Sequence, residues 1–356
     1  MTTVAFDQAV SDAFAEQLLT MLNHGALTLM ISIGHRTGLF DTMSTLPPVT
    51  SNELAAAAGL HERYVREWLG ALTVGGIVQY DPTTATYTLP AEHAAWLTRA
   101  ATPNNIAVFA QYIPLLGEVE EGILAKFRTG GGLHYHDYPR FHAIMAEDSA
   151  QTVVAALREH ILPLVNGLEA RLTAGIDVLD LGCGKGLALL EMAQMFPQSR
   201  FTGYELNTAV TAETAARAAA LGLHNLRFAA QDAALLAETA SYDLICTFDA
   251  IHDQADPLRV LTNIRRALRP DGVYLMQDIR ASSALENNLD HPIGPLLYTI
   301  STMHCTSVSL AVGGAGLGTM WGEELALDLL ARAGFSRVRI EQPAHDFQNN
   351  YYVAKH

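Results

Sequence analysis

The sequence predicts an α/β protein in which a seven-stranded, doubly wound sheet follows a helical amino-terminal region. Three observations carry this. The apolar run Ile176–Leu181 has the composition of a buried parallel strand and leads into Gly182, Gly184 and Gly186, then the amphipathic stretch Leu187–Phe196. From about residue 171 onward, short apolar runs alternate with helical periods, which implies a parallel sheet with helices on both faces. Before that point the apolar spacing is helical and is punctuated by glycine and proline.

Taken in order, residues 14–40 read as helix, with Phe14, Leu18, Leu19, Leu22, Leu27, Met30 and Ile31 forming an apolar stripe. Met21 and Leu29 widen the stripe beyond what one helix needs, the mark of a core or an oligomer interface. Thr50 and Glu53 have capping-box spacing, so a helix starts there, and Gly59 ends it. A second helix places Tyr64, Val65, Trp68, Leu69 and Leu72 on one face and stops at Gly75-Gly76. Residues 77–80 and 85–89 read as two short strands around Asp81-Pro82-Thr83-Thr84. Helix, helix and hairpin in this order resemble a winged helix.

A winged helix that binds DNA needs a basic face for the phosphates. Residues 1–100 hold four arginines, no lysine and nine acids, and the charges of Glu62, Arg63, Arg66 and Glu67 on the second helix cancel. A dimerisation or substrate-capping module is therefore the preferred reading. Residues 96–170 read as helix with one break at Gly130-Gly131-Gly132, followed by the aromatic run Leu133 to His142. His134 and His136 invite a metal reading, but residues two apart share no helix face and point to opposite sides of a strand. No further ligand pair lies nearby, so the run reads as an active-site cover and no metal is expected.

The remaining strands fall at 176–181, 200–205, 225–229, 242–248, 272–279, 335–341 and 349–354, with helices near 186–196, 208–221, 256–268 and 321–333. The organisation expected is a dimerisation domain over 1–95, a helical linker and cover over 96–170, and an α/β domain over 171–356. Lys+Arg 22 against Asp+Glu 37 leaves a net charge of −15, which argues against nucleic acid as a partner. Three widely spaced cysteines without a CxxC pair favour a reducing compartment over a disulfide framework or structural zinc. The first residues lack a basic leader region, and Ala26–Ile33 is too short to span a bilayer, so a cytoplasmic location with no membrane partner is expected.

The glycine turn decides between two cofactor classes. A dinucleotide fingerprint needs glycine three places after Gly184, where Leu187 stands. The pattern present, Asp180-x-Gly182-x-Gly184-x-Gly186, resembles the first motif of the class I S-adenosylmethionine methyltransferases. In that family the turn lies against the methionine part of the cofactor and the strand-end acid supports the turn and the amino group. Glu205, at the end of the second strand, is placed to accept from both ribose hydroxyls, or else serves as a helix-start carboxylate beside Asn207. The resemblance gives Asp232 the adenine amine; the alternative is a solvated turn. Leu206, Gln231, Ala233 and Phe248 are the flanking cofactor contacts it implies.

After the fourth strand, Ile251-His252-Asp253-Gln254-Ala255-Asp256 leads into a helix capped by Asp256 with Pro257 at its first position. With Asn263 to Asp278 this segment resembles small-molecule O-methyltransferases that carry an amino-terminal winged-helix dimerisation domain, and bacterial stand-alone methyltransferases of unassigned substrate. The resemblance makes His252 the general base, with Gln254 where the family has Trp. A loop histidine bonded to backbone is the alternative. Asp278, at the end of the fifth strand, points to the same crevice as a group that orients the base or binds substrate. Residues 281–320 form an insertion whose Glu286, Asn287, Tyr298, Met303, His304 and Cys305 are candidates for the acceptor pocket.

The resemblance thus implies S-adenosyl-L-methionine as cofactor, an O, N or S atom of a small molecule as methyl acceptor, and a homodimer built through the amino-terminal domain. Two alternatives remain at this level: a fold of this class doing cyclase- or decarboxylase-like chemistry, and a cofactor-sensing transcriptional regulator.

Overall fold

The computed structural model describes residues 6–356; residues 1–5, the start of the stretch read for a leader, lie outside it. The chain divides into two compact units, one ending at Pro114 and one running from Leu115 to His356.

In the first unit, helix α1 spans Gln8–Thr37, capped by Asp7, and ends at Gly38 in the left-handed region, where α2 (Leu39–Ser44) begins. The helix expected over 14–40 therefore starts earlier and breaks at glycine. Helix α3 (Ser51–Ala58) carries the expected Thr50–Glu53 capping box, and α4 (Glu62–Val74) buries Val65, Trp68, Leu69 and Leu72. Strands β1 (Gln79–Asp81) and β2 (Thr86–Thr88) pair antiparallel as the wing. The core centres on Trp68, which meets Phe40 edge to face at 5.3 Å and donates its indole N–H to Met30 O at 2.8 Å. Phe14, Leu18, Leu19 and Leu22 on α1 are exposed.

The second unit begins with short helical pieces rather than the longer helices expected over 96–170. They include a 3-10 turn at Tyr135–Asp137, a helix at Phe141–Ser149, and π-helical turns at Ala150–Val154 and Leu157–Ile161. Gly130 and Gly131 have positive φ, and Pro139 and Pro163 interrupt helix propagation. His134, the cap of the 3-10 turn, and His136 within it are stacked at 5.3 Å. Their two rings thus lie together, contrary to the expectation that they diverge; a 3-10 turn has neither strand nor α-helix geometry.

Among the described residues the α/β part is a seven-stranded sheet in the order β5-β4-β3-β6-β7-β9-β8. Its strands are β3 (Asp177–Leu181), β4 (Arg200–Glu205), β5 (Leu226–Ala230), β6 (Tyr242–Phe248), β7 (Leu268–Ile279), β8 (Arg337–Glu341) and β9 (Asn349–Lys355). All pairings are parallel except those of β9, which runs antiparallel to both neighbours. Alternate residues serve opposite faces. Val178, Leu244, Val273 and Leu275 pack with the helix Leu187–Met195, while Leu179, Ile245, Tyr274 and Met276 pack with Pro257–Ala267 and Gly322–Arg332. The insertion after β7 is largely helical, with Gly294–Ile300, a π turn over Ser301–Cys305, and Thr306–Ala311.

Trp68→Ala removes both the ring contact and the hydrogen bond to α1, so it should cost about 3–5 kcal/mol in urea unfolding followed by circular dichroism. A loss below about 1 kcal/mol would contradict the packing described.

Candidate active site

Parallel strands all end at one edge, and the residues singled out from sequence gather there in the second unit. Asp180, the penultimate residue of β3, is buried. The turn after it needs left-handed backbone three times over, with φ +72 at Gly182, +50 at Gly184 and +61 at Gly186. A side chain at Gly182 would lie 2.8 Å from Ala250 Cβ, and one at Gly186 2.6 Å from the Phe228 ring, whereas the space over Gly184 is open. The turn is thus packed from behind and bare in front.

A cavity lies over this turn, lined by Asp180, Gly182, Cys183, Gly184, Gly186 and Phe248. Its opposite wall is the segment expected to cover the site, through His142, Met145, Ala146 and Ser149. Glu205 Oε2 accepts the Gly184 N–H at 3.1 Å, and its Oε1 accepts the Asn207 N–H at 2.9 Å. The helix-start reading of Glu205 thus describes its bond to Asn207 at the head of the helix Thr208–Ala220, and its other oxygen braces the glycine turn, a contact the sequence did not suggest. Leu206, exposed, and Gln231, Asp232 and Ala233 lie at the ends of β4 and β5 and are not part of this cavity lining. Asp232 accepts the Ala234 N–H at 2.8 Å as the cap of a 3-10 turn, so one of its oxygens serves a local turn.

The electrostatics of this cavity ask for a cation. Burial, and then the neighbouring Glu205, push the Asp180 carboxyl well above the usual carboxylate range. Asp180 Oδ1 is buried with no hydrogen-bond partner among the described residues. Lys185, the cation nearest in sequence, is engaged with Glu213 at 3.1 Å.

The strand-end loop after β6 carries the second group. Asp249 holds φ +50, strained for a non-glycine residue, and is tied through Gln277 Nε2 at 3.3 Å. His252 Nδ1 lies 2.7 Å from Asp278 Oδ1, both side chains buried, and its Nε2 is 3.5 Å from Asp253 Oδ1. Burial works against a charged His252 ring, but Asp278 and Asp253 outweigh it and raise its pKa well above 6.5. The alternative of a loop histidine bonded to backbone does not describe this ring.

Sequence reasoning did not find what seals the pair. Tyr135 donates its hydroxyl to Asp253 Oδ2 at 2.7 Å, Tyr138 donates to Met303 O at 2.5 Å, and Leu133 N–H donates to Ser307 Oγ at 2.8 Å. Phe141 stacks on His304 at 3.8 Å. The cover and the insertion are thus clasped together over His252. The π turn brings His304 and Cys305 in together, both buried; burial lowers the His304 pKa to about 4 and raises the Cys305 thiol to about 12. Glu286 and Asn287 are exposed instead. Cys183 lies within the glycine motif and Tyr135 within the expected cover, but no local motif marks Trp321; only the tertiary fold brings it in.

Comparison with known proteins follows this geometry. Residues 172–326 match the family model for a methyltransferase domain, and residues 25–99 match the Rv2258c-like winged HTH domain. The chain thus carries a methyltransferase-type domain behind a winged HTH domain. Among curated relatives it is similar to trans-aconitate 2-methyltransferase of Deinococcus radiodurans, 37% identical over 101 residues, covering 28% of this chain and 37% of that protein. The enzyme of the same name from an Acidovorax species is 29% identical over 175 residues, or 49% of this chain and 63% of that one. The chain thus spans less than two thirds of the length of these relatives.

Solved structures match over the whole chain and show the fold. An O-methyltransferase-like protein of Nostoc punctiforme has a TM-score of 0.72 at 19% identity, covering 99% of this chain and 100% of that one. Human N-acetylserotonin methyltransferase, solved in complex with S-adenosylmethionine, has a TM-score of 0.68 at 14% identity, covering 99% of each chain. Among the described residues no helix is long and apolar enough to cross a membrane.

If Glu205 braces the turn, Glu205→Ala frees the Gly184 and Asn207 N–H groups. Cofactor affinity measured by calorimetry should then fall at least about tenfold, the worth of a charged hydrogen bond. Wild-type affinity in that variant would remove Glu205 from the site.

Proposed function

We propose that the protein transfers a methyl group from S-adenosyl-L-methionine to an O, N or S atom of a small molecule, with His252 as general base. The observation that carries this is the shared strand edge: the bare glycine turn with its buried acid and the His252–Asp278 pair stand on the neighbouring strands β3, β6 and β7. The donor set fits the cofactor. Asp180 offers a buried oxygen to an ammonium group, Gly184 offers open backbone, and Phe248 an aromatic wall, while Glu205 and Asp232 are assigned the ribose and the adenine amine. Gly182 and Gly186 shape the turn, and Leu206, Gln231 and Ala233 are assigned the cofactor's flank.

When bound, the cofactor supplies an electrophilic methyl on a sulfonium, open to in-line attack. Asp278 accepts from Nδ1–H of His252 and so leaves Nε2 to take the acceptor's proton. The carboxylates that raise the His252 pKa also make it a stronger base. Deprotonation of the ring then limits the rate on the acid side, and turnover climbs as pH rises through that pKa. The Tyr135–Asp253 and Phe141–His304 contacts exclude water and orient the acceptor.

The exposed apolar residues of α1 support a homodimer through the amino-terminal domain, and the free thiols of Cys183, Cys246 and Cys305 support a cytoplasmic setting. The acidic balance of residues 1–100 counts against the regulator reading, and the His252–Asp278 pair favours transfer over cyclase-like chemistry.

His252→Ala should lower kcat about 10²- to 10⁴-fold while cofactor affinity stays within twofold, read by S-adenosylhomocysteine release across a panel of small hydroxyl, amine and thiol acceptors. Full activity in the variant would reject the base. Phe14→Asp with Leu18→Asp should halve the mass in sedimentation equilibrium; an unchanged mass would reject the α1 interface.

A further inference from the structure

The loop after β6 lacks the tryptophan that the resemblance leads one to expect: Gln254 stands there and donates its side-chain N–H to Ala250 O at 2.8 Å, a local bond that leaves the base alone. An indole reaches the base from elsewhere. Trp321, immediately before the helix Gly322–Arg332, is buried and donates Nε1–H to Asp278 Oδ1 at 3.0 Å. That same oxygen takes Nδ1–H of His252 at 2.7 Å and the Ile279 N–H at 2.9 Å. Asp278 Oδ2 is buried with no partner among the described residues. One carboxylate oxygen thus gathers three donors, and its direction is fixed from three sides.

The indole's own position is clasped. Ser283 donates its hydroxyl to Trp321 O at 2.6 Å, and Glu324 accepts from Ser282 Oγ at 2.6 Å and from Ser283 N–H at 2.7 Å. Those serine bonds lower the Glu324 pKa to about 2, so the clasp persists across the working pH range. Between them Gly322 has φ +82, and a Cβ there would lie 2.0 Å from Ser283 N. Only glycine lets the two segments approach this closely. The clasp thus presses the tryptophan against Asp278.

We propose that Trp321 is a positioning residue for methyl transfer: its indole N–H pins Asp278 and, through it, fixes the direction of the His252 ring. This rests on the reading of His252 as base. A donor on Oδ1 also draws charge from the oxygen that faces Nδ1–H, so removing it strengthens the pull of Asp278 on the ring proton. The groups that face His252 are Asp278 on β7, Asp249 and Asp253 on its own loop, and His304 and Cys305 on the π turn, with Tyr135 on Asp253. Replacement of Trp321 alters none of these but Asp278.

The test is Trp321→Phe, which keeps an aromatic ring and deletes the donor. The acid limb of the kcat profile should move up by about 0.5–1 pH unit, the worth of one hydrogen bond. At its own optimum kcat should fall about 10- to 100-fold through misdirection of the base. KM for the cofactor should hold, and Trp321→His should restore part of the loss. A packing role alone would not move the pH limb. Wild-type kcat and limb in Trp321→Phe, beside an inactive His252→Ala, would overturn the proposal and leave the base in place; an active His252→Ala would overturn both. Should Trp321→Phe not fold, the wild-type indole N–H resonance decides. A shift that follows His252 titration supports the proposal, and an N–H indifferent to it overturns it.

Discussion

Three buried or half-buried carboxylates, Asp180, Asp249 and Asp278, stand at the ends of the adjacent strands β3, β6 and β7. A charge in such a place is costly unless it is met by a partner, and the arrangement follows from how each acid meets that demand. Asp278 is met by His252, Trp321 and its neighbour's N–H. Asp249 and Asp180 are pushed toward the neutral form by burial and by neighbouring acids. The glycine turn lies beside Asp180, so a cationic ligand seated there would draw that carboxyl back to its charged form. Ligand binding and local electrostatics are in this sense one event.

The sheet was legible because its signals are local. A parallel strand buried on both faces reads as an apolar run, and the strand boundaries expected between 176 and 354 fall within a few residues of those found. The same holds for the Thr50–Glu53 capping box and the Asp256–Pro257 helix start, where one side chain closes on its own backbone. The cover over 96–170 was legible only in outline. Its pieces turn through 3-10 and π geometry because they are moulded to what they pack on, and periodicity carries no trace of that.

The site divides along the same line. Asp180, the three glycines and Phe248 surround one cavity, since they follow from a single strand–turn–helix unit and its neighbour. His252 and Asp278 meet because β6 and β7 lie side by side, a pairing that the alternation of elements implies. Trp321 and Tyr135 come from segments 43 and 118 residues away from their partners, so their roles depend on loop closures that no local pattern records. The winged-helix domain is the converse case: legible in order of elements and in its acidic balance, with α1 longer than its stripe suggested.

The central claim is that the glycine turn and its uncompensated acid hold the methyl donor. Isothermal titration of the intact protein with S-adenosylhomocysteine tests it directly. The account predicts one site per chain with micromolar or tighter affinity, and no comparable heat from NADH. No heat from S-adenosylhomocysteine, or tight binding of the nicotinamide nucleotide instead, would contradict it.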